Sequence, residues 1–230
     1  MRIGTLEIPG GLLVMPAFVL VVALLLLWRW YYYSKQASEM QSMAASRGWK
    51  FLGKDSPELR LWLEEADTDL DNRRDWTREN IILVEGPPDK VYLFNYTARS
   101  YGGGARGSTP ENGTACLVER SRGETRELVM IYRRSRLLGE LEKKLLDDEV
   151  EVGGPEFRQE FLVRSRRPDV AVATVTPGLQ EVLLRQASSL MWDRVWIAGR
   201  CAFVTVTLRL KPEEWDELLG MTKRLRAALP

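Results

Sequence analysis

No residue between Glu7 and Arg29 carries a charge, and the 21 residues that separate them include the apolar run LLVMPAFVLVVALLLL. A helix from Ile8 to Trp28 spans roughly 31 Å at about 1.5 Å per residue, which matches the hydrocarbon core of a bilayer. The segment therefore reads as a membrane-spanning helix that holds the rest of the chain beside a lipid surface. Trp28, Trp30, Tyr31, Tyr32 and Tyr33 follow at once, with Arg29 among them, as expected for an aromatic belt at headgroup level with a snorkelling cation. Leu12, Phe18, Leu24, Trp28, Arg29, Trp30 and Tyr31 are the expected anchor residues. Pro16 is tolerated in a membrane helix. The alternative is a cleaved signal peptide, which needs small residues at its cleavage site, where this chain has WRWYYY.

Basic residues set the orientation. Arg2 lies on the N-terminal side, whereas Arg29, Lys35, Arg47 and Lys50 lie at or shortly after the other end, so the N-terminus is expected outside and the domain in the cytoplasm. With Arg2, Arg29 and Glu7 set aside, residues 34–230 hold 31 of the 33 basic and 31 of the 32 acidic residues. That neutrality argues against a nucleic-acid binder, which relies on a strong positive field. The sequons Asn95-Tyr96-Thr97 and Asn112-Gly113-Thr114 matter only in the reverse orientation.

Four segments are expected: a tail and anchor over 1–33, a juxtamembrane stalk helix over 34–47, an α+β subdomain over 48–148, and a C-terminal α+β subdomain over 149–230 that either stands apart or shares its sheet. The stalk follows from Tyr33, Ala37, Met40, Met43 or Ala44, and Arg47 on one helical face, ending near Gly48. Trp49–Leu52 reads as a short strand, and Ser56-Pro57 opens a helix carrying Leu59, Trp62 and Leu63. NIILVEG, KVYLFNYTA, TACLVER and ELVMIYR read as four strands of an antiparallel meander. A helix over 135–146, a linker DDEVEVGGP, a strand EFRQEFLVRS, a helix from Thr176-Pro177, a hairpin from DRVWIAG and CAFVTVTLRL, and a helix from Pro212 complete the series. The order predicts an α+β domain, an antiparallel sheet packed with several helices.

Chemistry-bearing patterns are few. Histidine is absent, which removes histidine-dependent triads, His-ligated zinc and a histidine pH switch. Cys116 and Cys201 lie 85 positions apart, each in a strand, and read as reduced core residues. YGGGARGST matches the glycine spacing of a dinucleotide loop, yet Pro110 and Asn112-Gly113 lead into another strand rather than a helix. DTDLDN places Asp67, Asp69 and Asp71 at calcium-loop spacing, but Asn72 and Arg78 stand where glycine and a bidentate carboxylate are required. No cofactor and no metal are expected. Arg133, Arg134 and Arg136, with Arg164, Arg166 and Arg167, form two basic clusters at strand ends, candidate contacts for anionic lipid or a partner.

The segments AASRGWKFLGKD, VYLFNY and EFRQEFLVRSRRPDVAVATVTPGLQEVLL resemble a group of bacterial, actinobacterial-type single-pass membrane proteins of unknown function. The resemblance covers most of residues 37–187 and implies an N-terminal anchor followed by an α+β domain. It carries over no catalytic residues. The leading expectation is a membrane-anchored interaction or accessory-subunit domain with the bilayer and a protein as partners. A lipid-surface or small-ligand sensor and an enzyme built on Asp, Glu and Arg are the alternatives.

Overall fold

Near-continuous apolar runs such as VYLFNY put apolar side chains on both faces of a strand, and one sheet accordingly carries a core on both sides. The computed structural model describes residues 10–67, 74–86, 90–100, 110–120, 127–134, 149–187 and 192–230. Helix α1 (Gly10–Ser46) leads into β1 (Lys50–Gly53), α2 (Pro57–Asp67), β2 (Arg74–Glu85), β3 (Val91–Ser100), β4 (Glu111–Glu119) and β5 (Val129–Arg133). Then come β6 (Glu149–Val150), α3 (Pro155–Glu160), β7 (Phe161–Arg164), α4 (Pro168–Thr174), α5 (Pro177–Gln186), β8 (Arg194–Ala198), β9 (Cys201–Val206), a 3-10 turn (Pro212–Glu214) and α6 (Trp215–Ala228).

Nine strands pair in the order β1-β2-β3-β4-β9-β8-β5-β7-β6, every pair antiparallel. The meander holds only through β4. The β8–β9 hairpin inserts between β4 and β5, so ELVMIYR does not follow TACLVER in the sheet, and strands from either side of residue 148 alternate across it. One face packs Ile82, Leu93, Cys116, Val204 and Ile197 against α6, α5 and the C-terminal part of α1. The other gathers Tyr92, Phe94, Tyr96, Trp196 and Phe203 with Leu59, Trp62 and Leu63 of α2. On that second face Trp196 stacks on Phe203 with centroids 5.3 Å apart, and Trp76 meets Tyr96, Trp196 and Phe203 edge-on or tilted.

Local sequence explains most boundaries. Ser56 Oγ accepts from Leu59 N and Thr176 Oγ1 from Leu179 N, each capping a helix that begins with proline. Gly48, at φ +70°, turns the chain just after α1. Helical periodicity predicts one face of Trp215, Leu218, Leu219, Thr222, Leu225 and Leu229; in α6 the first five are buried, Met221 is buried with them, and Leu229, just past the helix, is only partly covered.

Two segments differ from expectation. EFRQEFLVRS is not one strand: Gly153 at φ +88° and Pro155 start the short helix α3, and the strand begins only at Phe161. DDEVEVGGP is not merely a linker, because Glu149 and Val150 pair with Arg164 and Val163 as the edge strand β6. PDVAVAT forms a helix that the apolar periodicity of seven residues is too short to announce. The glycine-rich loop 101–109, the acidic segment 68–73 and the helix expected over 135–146 lie outside the described residues. Ala98 pairs with Glu111, so the glycine loop joins two strands of a hairpin.

Candidate functional site at the base of the first helix

Helix α1 changes character along its length. Phe18 to Leu27 are exposed at almost every position, with Phe18 at 64% and Leu24 at 56%, and Trp28, Trp30 and Tyr31 are more than 60% exposed. Leu12 and Arg29, the other expected anchor residues, have side chains outside the described set. Among the described residues no helix is long and apolar enough to cross a membrane. From Gln36 onward the same helix is docked: Gln36, Met40 and Ala44 are buried against the sheet and Met43 packs beside them. One face of this part of the helix thus joins the core, while Ser38, Glu39, Gln41 and Ser42 on the other stay exposed.

Polar contacts fix that docking. Arg47 forms a bidentate ion pair with Asp216 at the start of α6 and lies 4.8 Å from the centre of the Trp49 ring. Arg209 donates to Gln36 Oε1 at 3.5 Å and to Glu79 Oε2 at 3.1 Å. Behind it Leu210 N donates to Thr114 Oγ1 at 2.9 Å, and that hydroxyl donates to Asn95 Oδ1 at 2.9 Å. Asn80, at φ +54°, lies where β2 bulges between Glu79 and Ile82, which aims Glu79 toward Arg209 while Ile81 and Ile82 stay in the two cores. A polar seam thus crosses an otherwise apolar interior. Its only trace in the sequence is the misfit of Asn95 in VYLFNY, Thr114 in TACLV and Arg209 in VTLRL.

The connection from β9 to the 3-10 turn is tied at Thr207 and again from Arg209 to Lys211. Thr207 N donates to the Asp193 carboxylate, Leu210 O accepts from Trp215 Nε1 at 3.2 Å, and Lys211 N donates to Glu214 Oε2 at 2.7 Å. Two crevices open where this connection faces α1. One of about 230 Å³ has Trp28, Tyr31, Lys35, Arg209 and Lys211 in its walls. The other, about 820 Å³ and open to solvent, lies between Ser42, Arg47 and Glu213. Sequence reasoning missed both, because Lys211 and Lys35 are 176 positions apart and only the fold joins them.

The arginines singled out from sequence are placed elsewhere. Arg133 pairs with Phe161 and Met130 with Arg164, so the two clusters lie at opposite ends of the β5–β7 pair. Arg134 is held by the carbonyls of Arg158 and Phe161 and by Glu149 Oε1 at 2.5 Å. Arg167 is chelated by Asp169. Arg166 is exposed, and Arg136 is outside the described residues.

Other titratable groups serve the fold. Burial works to raise the Glu58 carboxyl, and hydrogen bonds from Lys90 and Tyr92 outweigh it, leaving it below its ordinary value. Burial, followed by the Glu58 hydrogen bond, pushes Tyr92 up to about 12, and burial with Glu111 raises Tyr96 further. Burial pushes the Cys116 thiol up to about 12. Cys116 and Cys201 form no disulfide and face opposite cores. Asn95 is fully buried and Asn112 exposed. Among the described residues no three metal-ligating His, Cys, Asp or Glu side chains converge.

No family model and no curated protein matches the sequence. Among solved structures the chain is similar to the crystal structure of the mycobacterial trehalose monomycolate transport factor A, TtfA, at a TM-score of 0.53 and 17% identity, over 84% of this chain and 93% of that one. At that identity the likeness is one of fold, and it extends over nearly the whole of both chains.

Proposed function

We propose that this chain is a membrane-anchored, cytoplasm-facing accessory or interaction domain with no catalytic chemistry of its own. One observation carries the reading: a single helix is exposed and apolar from Phe18 to Leu27 and then contributes Gln36, Met40 and Ala44 to the domain core. Exposed apolar side chains on every face of a helix are costly in water and favourable in lipid. The run of apolar residues continues through sequence positions 11–17, which brings the segment to bilayer length. Only the excess of basic residues after the segment supports the orientation.

The fold neighbour is named as a transport factor, and we extend the proposal to an accessory role in a membrane transport assembly. Lipid sensing through Arg133, Arg134, Arg136, Arg164, Arg166 and Arg167 draws less support, since Arg134 and Arg167 are already engaged by carboxylates.

The test is purification of the full-length protein from its native membrane in mild detergent, after high-salt and alkaline washes, with identification of whatever co-migrates. The expected result is retention in the washed membrane and co-migration with an integral membrane protein. Release by salt would overturn the anchor, and a solitary monomer would overturn the accessory role.

A further inference from the structure

We propose that the β9–α6 connection is a second membrane contact, in which Leu208 enters the bilayer interface while Lys35 and Lys211 hold the phosphate of an anionic phospholipid in the crevice beside Trp28 and Tyr31. The inference rests on the membrane anchor proposed above and adds to it a specific surface and ligand class.

Leu208 is the first ground. Thr207, Arg209, Leu210 and Lys211 are each tied to Asp193, Glu79, Thr114 and Glu214 respectively, yet Leu208 between them is 58% exposed. A leucine presented to solvent by a connection fixed on both sides holds its apolar side chain outward at no further cost in chain entropy. Its level is the second ground. Arg209, Leu210 and Lys211 share a crevice with Trp28 and Tyr31, the residues that the anchor reading places among the headgroups. Leu208 therefore lies at the depth where interfacial side chains partition into lipid.

Charge is the third ground. Arg209 is spent on Glu79 and Gln36. Lys211 makes no ion pair among the described residues, and Lys35 has only Glu39 at 3.9 Å, both side chains at least half exposed. Lys35, Arg209 and Lys211 line a crevice of about 230 Å³ in which Glu39 is the one carboxylate residue, so the lining carries an excess of positive charge. Lysine is a point-charge ligand for phosphate, and polar donors beside an aromatic belt meet the phosphodiester layer before any other anion.

The full-length protein, carrying Leu208→Cys labelled with an environment-sensitive dye, is reconstituted into vesicles of phosphatidylcholine with or without phosphatidylglycerol. Cys116 and Cys201 are buried, so labelling of the folded protein falls on the introduced thiol. The expected result is a blue-shifted dye quenched by lipid-borne nitroxide, and quenching by nitroxide-labelled phosphatidylglycerol at about fivefold lower mole fraction than by its phosphatidylcholine counterpart. The double variant Lys35→Gln, Lys211→Gln should abolish that preference while leaving the dye buried. A dye that stays in water while the protein remains vesicle-bound overturns the second contact and leaves the anchor standing. Equal quenching by both lipids, or a preference that survives the double variant, overturns the phosphate site. Protein that does not associate with either vesicle overturns the anchor itself.

Discussion

Replacing Gly113 by alanine is expected to weaken the whole sheet. A Cβ built at this position lies 2.0 Å from the carbonyl oxygen of Val206 and 2.8 Å from Cε1 and Cζ of Tyr96. The oxygen belongs to backbone at the end of β9, and the Tyr96 ring is restrained by its hydroxyl's hydrogen bond to Glu111 at 3.0 Å. Neither neighbour is the far end of a flexible side chain. Reaching even 3.0 Å requires the end of β9 to move by about 1 Å, where Thr114 and Val206 are in register and the connection to the 3-10 turn begins. Overpacking of a closed interior costs about 1–3 kcal/mol, and a backbone collision belongs at the upper end. At roughly 2–4 °C per kcal/mol for a chain of this size, about 3 kcal/mol lowers the melting temperature by about 6–12 °C. Gly86→Ala is the control, since nothing lies within 4 Å of its Cβ and surface changes of this kind stay within about 0.5 kcal/mol. Thermal melts of the two detergent-solubilised variants by circular dichroism decide the matter. If Gly113→Ala melts within about 2 °C of the parent protein, the close approach of β9 to β4 is not a constraint and the reasoning fails.

Thr114→Val removes the acceptor of Leu210 N and the donor to Asn95 Oδ1; two buried polar groups left unmatched should cost about 2–4 kcal/mol in a urea titration, and a loss under 1 kcal/mol would count against the seam. In a double-mutant cycle, Arg47→Ala and Asp216→Ala should couple by only about 0.3–1 kcal/mol, because the pair is largely exposed at 31% and 57%; a coupling of several kcal/mol would show that the docking depends on this pair. Tyr92, Tyr96 and Cys116 are all raised above their ordinary values of 10.0 and 9.0. Each folds in its neutral form, so the stability they contribute is complete below about pH 9 and is lost as pH rises toward about 12. Unfolding midpoints should hold level from pH 8 to about 9 and fall from there to pH 11, and a profile flat throughout would contradict the burial of these groups.

Much of the fold was readable where a residue acts locally. Ser56 and Thr176 cap helices as their positions before proline suggest, and the expected apolar face of α6 is buried from Trp215 to Leu225, with Leu229 only partly covered. Strand adjacency was not readable, because the insertion of β8–β9 between β4 and β5 depends on pairing over roughly 85 residues, which leaves no mark on either partner. The short elements α3 and β6 escaped for a different reason: six and two residues are too few to show a period. The crevice beside α1 was invisible on both counts. Lys35, Arg209 and Lys211 look like ordinary solvated cations until the sheet returns β9 to the base of the first helix. The arginine runs, by contrast, were conspicuous in sequence because they are consecutive, and the fold directs Arg134 and Arg167 to nearby carboxylates.

Helix α1 runs from Gly10 to Ser46 without interruption, about 54 Å at the usual rise, and this makes it a lever. With Met40 and Ala44 clamped in the core, the exposed apolar half of the helix continues into the docked half as one helix. A 10° tilt of the rod, imposed by a neighbouring transmembrane segment or by a change in bilayer thickness, would displace its far end by about 9 Å relative to the other. In the membrane setting proposed above, the domain would swing with it, and a mechanical event in the bilayer would be felt at every edge of the sheet.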